Sequence, residues 1–302
     1  MKTDRRQFLK ASGLTLGAAG FWGRSTFAAE TARQPSFIIR PSKMKLGIVT
    51  YNIAKDWDVP TIIKNCAATK FQGVELRTGH AHGVEVNLTK EQRADVRKRF
   101  RDSPVELMGL GSTFDFHTPD QAKLKADLAA TKEYIVLAED VGASGVKVRP
   151  NGLPPEVPKE KTLEQIGKSL RELGAFGEGR GVQIRLEIHG KESAHVPHIK
   201  TIMEAASHKN VGVCWNSNQT DLLDGGLESN FRLVQDRIGQ VHMRDLYQEE
   251  YPWRRLVQLL QGIHFDGYCY AELGQPSSDG LRVLKYFHGL FRALQGIEGP
   301  AS

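Results

Sequence analysis

From residue 44 onward, short apolar stretches rich in β-branched residues alternate with longer charged stretches of helical periodicity. This alternation never separates into a block of strands and a block of helices, which is typical of βα units repeated along a parallel sheet. The predicted strands are 45–50, 73–76, 105–110, 145–148, 182–187, 211–215, 238–242 and 268–272. The predicted helices are 59–69, 89–101, 120–141, 161–180, 196–207, 227–236, 253–261 and 279–294. About eight strands and eight helices in roughly 250 residues favour the α/β class and a single (β/α)8 barrel.

An open, doubly wound sheet is the alternative fold. Such a sheet usually carries a glycine-rich nucleotide loop after its first strand, whereas Tyr51 and Asn52 follow the first strand here. Thr89 and Asp120 have side chains that favour helix starts, so we expect both to be N-caps.

Composition and charge narrow the class of protein. The chain has 302 residues, of which 40% are hydrophobic and 25% charged, so a large packed core is expected. Three cysteines are too few for a disulfide scaffold. Of the formal net charge of +6, +4 lies in the first 28 residues. The remainder lacks the basic footprint of a nucleic-acid binder, so no nucleic-acid partner is expected.

The first 28 residues have the features of an export signal. Arg5 and Arg6 precede Phe8-Leu9-Lys10, an apolar run follows at 11–22, and small residues flank a cleavage site near Ala28. The paired arginines resemble a twin-arginine signal. We therefore expect a signal peptide at 1–28, a linker at 29–43, the barrel at 44–295 and a tail at 296–302. The expected partner is the twin-arginine export machinery, and the expected location is the periplasm or another site outside the cytoplasm. An uncleaved anchor is the alternative.

The ends of the predicted strands carry the candidate chemistry, because active sites of parallel barrels lie at the carboxyl ends of their strands. The last four strands supply Glu187, Asn216, His242 and Glu272 at or directly after their ends. Two carboxylates, an imidazole and an amide suit a divalent ion such as Mn²⁺, Mg²⁺ or Zn²⁺. Each of the four could instead be a structural hydrogen-bond partner. Candidate substrate contacts at or near the strand ends are Tyr51, Glu75, His117, Arg149, His189 and Arg244.

Four segments, 184–190, 211–216, 241–245 and 270–272, resemble the successive metal-binding strands of the xylose isomerase-like TIM-barrel superfamily. The resemblance extends over residues 44–295. It implies metal ligands at Glu187, Asn216, His242 and Glu272, with Glu187 and Glu272 also as the proton-transfer groups. Asn216 is a departure, since the family has Asp there, and Gln219 stands where many members have His.

The resemblance implies a metal-dependent isomerase or epimerase of a sugar or polyol derivative that transfers a proton next to a carbonyl through an enediolate. No phosphate-binding loop is visible, so an unphosphorylated substrate is expected. Three alternatives stay open: an inosose-dehydratase-like lyase that uses the same site, a non-catalytic sugar-binding barrel, and an endonuclease IV-like phosphodiesterase.

Overall fold

The strands follow one another around a barrel in the computed structural model, which describes residues 42–297. They are β1 (Lys45–Val49), β2 (Gly73–Arg77), β3 (Glu106–Asp115), β4 (Gly145–Arg149), β5 (Gln183–Glu187), β6 (Val211–Trp215), β7 (Ile238–Met243) and β8 (Tyr268–Ala271). Each strand pairs in parallel with the next, and β8 pairs with β1, so the sheet closes. The predicted (β/α)8 barrel is confirmed, and the open sheet is wrong.

A helix follows each strand on the outside of the barrel. The helices are α1 (Val59–Thr69), α2 (Lys90–Arg101), α3 (Gln121–Val141), α4 (Lys159–Glu178), α5 (Val196–Ala206), α6 (Gly226–Val234), α7 (Trp253–Gly262) and α8 (Gly280–Leu294). Thr89 caps α2 by accepting a hydrogen bond from the backbone N–H of Gln92, and Asp120 caps α3 in the same way. Both predicted caps are confirmed.

Between residues 42 and 297, none of the helices combines the length and the apolar character that crossing a membrane requires. The predicted leader at 1–28, nearly all of the predicted linker at 29–43 and most of the predicted tail at 296–302 lie outside the described residues.

Strand β4 illustrates how the barrel separates its two faces. Side chains alternate along a strand, and Val146 and Val148 are fully buried in the apolar layer between strands and helices. Lys147, between them, therefore extends into the barrel interior. The same alternation repeats around the barrel, so the apolar core lies outside the sheet and polar side chains fill its centre.

Glycines on one strand make room for large interior side chains on another. A Cβ atom at Gly145 would lie 2.5 Å from Cζ of Arg185, and one at Gly47 would lie 2.6 Å from the ring of Tyr270. A glycine inside a strand commonly marks such a close approach. These two positions let a guanidinium and a phenol occupy the barrel axis below the functional site.

Strand β3 is longer than predicted and ends at Asp115 rather than at Leu110. Its pairing with β4 changes register between Gly111 and Asp115, and Asp115 then pairs with Arg149. The extension consists mainly of small and polar residues, so its sequence lacks the apolar signal of the earlier strand positions. It carries residues of β3 to the carboxyl-end rim.

Candidate functional site

Three predicted metal ligands meet at the carboxyl ends of β5, β7 and β8. The Nδ1 atom of His242 lies 3.9 Å from Oε1 of Glu187 and 3.6 Å from Oε2 of Glu272. One ligand atom from each residue lies within 4.8 Å of the other two, so the group could hold a metal ion. His242 is fully buried and the Glu272 side chain is 18% exposed, so the cluster opens toward solvent on the Glu272 side.

Asn216, the fourth predicted ligand, directly follows β6, which lies between β5 and β7 in the barrel. Its Nδ2 group donates a hydrogen bond to the carbonyl oxygen of Ile188, at 3.4 Å. Its Oδ1 atom is buried and has no hydrogen-bond partner, and the same holds for Nδ1 of His242. Unpartnered buried polar atoms are costly in a folded protein. A carboxylate pair with a spare amide oxygen and a spare imidazole nitrogen is a donor set that fits a divalent ion.

Glu75 lies behind His242 rather than at the mouth of the barrel. It is fully buried on β2, and its Oε2 atom accepts a hydrogen bond from Gln240 Nε2 at 2.7 Å and lies 3.4 Å from His242 Nε2. Burial by itself raises the pKa of Glu75, but His242, Lys147 and the Gln240 hydrogen bond outweigh it and lower that pKa to about 2. Glu75 is therefore an anion that faces the ring nitrogen of His242 remote from the cluster.

Lys147 is part of the site, although the sequence reasoning did not single it out. Its Nζ atom donates a hydrogen bond to Oε2 of Glu187 at 2.6 Å, and the two side chains are 7% and 3% exposed. Burial by itself lowers the pKa of Lys147, but the charges of Glu187, Glu75 and Glu272 raise it above its usual value. At neutral pH the site thus contains a cation, Lys147, beside one of its carboxylates.

Arg185 supports this cluster from below. Its Nη1 group donates hydrogen bonds at 3.0 Å to Oε1 of Gln240 and to the carbonyl oxygen of Met108, and its Nη2 group donates to the hydroxyl of Ser144. Gln240 in turn holds Glu75. A chain of hydrogen bonds therefore fixes the carboxylate that faces His242.

The other predicted substrate contacts lie around the rim of the barrel. The guanidinium of Arg77 stacks over the Tyr51 ring, 5.3 Å from its centroid. Arg149 donates a hydrogen bond to the carbonyl oxygen of Thr113, and Arg244 donates one to Oδ1 of Asn218. These partners hold the three side chains at the opening, where their role as substrate contacts stays a prediction.

Two rim histidines differ in their surroundings. His117 Nδ1 lies 3.2 Å from Oδ1 of Asp115, but this nitrogen is buried and makes no hydrogen bond. His189 is half-buried, and its Nδ1 atom is buried without a hydrogen-bond partner. Burial lowers the pKa of His189 below its usual value, so it is a neutral donor or acceptor at pH 7. Each of the two histidines therefore has a buried ring nitrogen that could contact a bound molecule.

The loop after β6, which carries Asn216, is fixed by a buried network around Asp221. Oδ2 of Asp221 accepts hydrogen bonds from the backbone N–H of Asn218 at 2.9 Å and from the hydroxyl of Tyr251 at 2.7 Å. Ser217 donates a hydrogen bond to the carbonyl oxygen of His242. Burial raises the pKa of Asp221 to about 7. The network ties the Asn216 loop to the strand that carries His242.

The chain belongs to the family described as xylose isomerase-like TIM barrel, whose sequence profile matches residues 63–287. A search of curated protein sequences finds no match.

Several solved structures share the fold. The IolI protein with a bound zinc atom has a TM-score of 0.71 and 16% identity, covering 85% of this chain and 100% of that one. D-psicose 3-epimerase with D-tagatose from Clostridium cellulolyticum H10 has a TM-score of 0.70 and 15% identity, covering 85% and 100%. The 3-keto-D-glucoside 4-epimerase YcjR from E. coli has a TM-score of 0.69 and 15% identity, covering 83% and 99%. At these identities the likeness establishes the fold alone.

Proposed function

We propose that this barrel is a divalent-metal-dependent isomerase or epimerase of an unphosphorylated sugar or polyol derivative. The observation that carries the proposal is the convergence of Glu187, Glu272 and the unpartnered Nδ1 of His242 at the mouth of the barrel. Similar folds include two sugar epimerases and a zinc-bound protein, which supports this class of substrate and cofactor.

The residues that would hold the ion are Glu187, Asn216, His242 and Glu272. When bound there, a divalent ion would polarise a carbonyl oxygen of the substrate and acidify the adjacent C–H bond. The carboxylate of Glu75 lies 3.4 Å from Nε2 of His242, and with an ion bound it would favour a proton on Nε2 and leave Nδ1 free to hold the ion. Glu75 is thus proposed as a positioning residue for His242.

Glu272 and Glu187 are proposed to move the proton. Burial by itself raises the pKa of Glu272, but His242 and Lys147 lower it, so this carboxylate is ionised at neutral pH and can accept a proton. Glu187 is likewise held beside a cation, Lys147. With one carboxylate on each side of the substrate carbon, one removes the proton and the other returns it. His189 and Arg149, at the rim of the barrel, would orient hydroxyl groups of the substrate.

Experiment separates two alternative functions of the same site, one catalytic and one not. An inosose-dehydratase-like lyase would begin with the same proton removal and then lose water. A non-catalytic sugar-binding barrel is favoured by one observation, the neutral Asn216 in a set whose charge comes from only two carboxylates. Analysis of the product distinguishes the lyase, and the absence of any proton exchange identifies the binding barrel.

The leader at 1–28 is the basis of a separate proposal, that the protein is exported through the twin-arginine route to the periplasm. An unphosphorylated substrate agrees with this location, since phosphorylated sugars are scarce outside the cytoplasm.

Solvent-deuterium exchange tests the proposed function on a panel of compounds, so the substrate need not be identified first. Purified protein loaded with Mn²⁺ would be incubated in D2O with a panel of ketoses and keto-sugars, and the products examined by NMR. We expect deuterium at the carbon next to the carbonyl of at least one compound. The double variant Glu187→Gln/Glu272→Gln is the matched control and should not exchange. Absence of exchange throughout a broad panel would reject the isomerase assignment.

A further inference from the structure

Lys147 and the candidate metal site compete for the same carboxylate. The ammonium group of Lys147 lies 2.6 Å from Oε2 of Glu187, and both side chains are almost completely buried. Glu187 is also one of the three residues whose ligand atoms converge on a possible ion position. A cation supplied by the chain itself therefore already occupies one side of this ligand.

The contact between Lys147 and Glu187 matters because the candidate metal site has few anionic ligands. Among Glu187, Asn216, His242 and Glu272, only the two glutamates are anionic, and Lys147 neutralises one of them. Two cations a few ångströms apart in a buried site repel each other strongly, because little water screens them. A divalent ion at the cluster would meet this repulsion from Lys147.

We propose that Lys147 is a counter-ion that competes with a divalent ion for Glu187. The site therefore binds the ion more weakly than its four ligands would without Lys147. Without the ion, Lys147 holds Glu187 in place and balances its buried charge. A bound ion would share Glu187 with the ammonium group, which would still be stabilised by the negative charges of Glu75 and Glu272. This inference rests on the proposed metal site and concerns affinity rather than the reaction.

Two variants separate the charge of Lys147 from its hydrogen bond. Lys147→Met removes both, and Lys147→Gln keeps an N–H donor for Glu187 without the charge. The affinity for Mn²⁺ alone would be measured by titration calorimetry on the purified protein, after circular dichroism has confirmed that each variant is folded. We expect both variants to bind Mn²⁺ about 10- to 100-fold more tightly than the wild-type protein. Lys168→Met is the matched control, because Lys168 is exposed and pairs with Glu164 on the surface of α4.

A double-mutant cycle tests the competition directly. In a Glu187→Gln background there is no carboxylate to compete for and only the direct repulsion between Lys147 and the ion remains, so Lys147→Gln should change the Mn²⁺ affinity less than it does in the wild-type background. A merely structural role for Lys147 would not produce this coupling. Equal or weaker binding by folded Lys147→Gln protein, or an equal effect of Lys147→Gln in both backgrounds, would overturn the inference.

The deuterium-exchange assay keeps this inference separate from the proposed function. Tighter Mn²⁺ binding in the Lys147 variants, with no exchange by any of the proteins, would support the counter-ion and reject the isomerase. Exchange by the wild-type protein, with no gain of Mn²⁺ affinity in the variants, would support the isomerase and overturn the counter-ion.

Discussion

The Nε2 atom of His242 lies 3.4 Å from Oε2 of Glu75, on the side of the imidazole ring opposite Glu187 and Glu272. A carboxylate behind a metal-binding histidine fixes which nitrogen carries the proton and makes the other nitrogen a better ligand. Glu75 comes from β2, on another part of the barrel wall, so the closed fold is what brings these two residues together.

Replacing Glu75 by Gln should weaken Mn²⁺ binding by about 10- to 100-fold, because the neutral amide no longer favours the Nε2–H form of His242. Titration calorimetry measures the change. Glu106→Gln is the control, since Glu106 is an exposed carboxylate paired with Lys45. Unchanged affinity in folded Glu75→Gln protein would show that Glu75 does not act through His242.

Replacing Asn216 by Asp should tighten Mn²⁺ binding by about tenfold or more, because the charge count of the ligands controls the affinity for such ions. The buried Oδ1 atom of Asn216 has no hydrogen-bond partner, so a carboxylate there would not displace an existing contact of that oxygen. Asn87→Asp introduces the same charge on an exposed loop and should have no effect. If Asn216→Asp protein binds the ion equally or more weakly, Asn216 is not a ligand.

Titration of Asp221 should make the free energy of unfolding depend on pH. Its pKa is raised from 3.8 to about 7, so between these values the folded protein binds a proton that the unfolded chain has lost. Stability from this group is therefore present at low pH and falls as the pH rises toward 7, by up to about 4 kcal/mol.

Urea unfolding at pH 5 and pH 8 checks this contribution. The free energy of unfolding of Asp221→Asn protein should rise relative to that of the wild-type protein between the two pH values. Asp236 is exposed, so Asp236→Asn protein should show the same pH dependence of the free energy of unfolding as the wild-type protein. If the free energy of unfolding changed equally with pH in Asp221→Asn protein and in the wild-type protein, Asp221 would not be protonated in the folded state.

The fold was predictable because the apolar layer lies between the strands and the helices. Residues such as Val146 and Val148 mark the strands in the sequence, and amphipathic periodicity marks the helices. The strand ends then indicated Glu187, His242 and Glu272, since all strands of a parallel barrel end on the same side. The end of β3 could not be predicted, because residues 111–115 lack an apolar pattern and the pairing with β4 changes register between Gly111 and Asp115.

The charged interior was harder to predict, although a signal was present. Lys147 lies between two outward-facing valines and Arg185 between Ile184 and Leu186, so strand alternation directs both charged residues into the barrel. Their partners could not be inferred in the same way. The contact of Lys147 with Glu187 and the chain from Arg185 to Glu75 depend on side-chain conformations that only the three-dimensional structure provides.

Export should depend on the arginine pair in the leader. Changing Arg5 and Arg6 together to Lys should leave the precursor inside the cell, because paired arginines distinguish a twin-arginine signal from an ordinary secretory one. Cell fractionation followed by immunoblotting measures the outcome. Changing Lys2 and Lys10 to Arg is the control, since it preserves both the charge and the pair. Export of the doubly substituted Arg5→Lys/Arg6→Lys precursor at the normal level would reject the twin-arginine assignment.

The central claim, that Glu187 and Glu272 transfer a proton at a carbon next to a carbonyl, is tested most directly by deuterium exchange with single variants at saturating Mn²⁺. Glu187→Gln and Glu272→Gln each keep the size of the side chain and one oxygen but remove a base, so turnover should fall by about 10²- to 10⁴-fold. One of the two variants should still exchange the substrate proton on its remaining side without completing the reaction. Wild-type turnover by both variants, with any substrate that the wild-type protein converts, would contradict the account and leave a sugar-binding barrel as the better description.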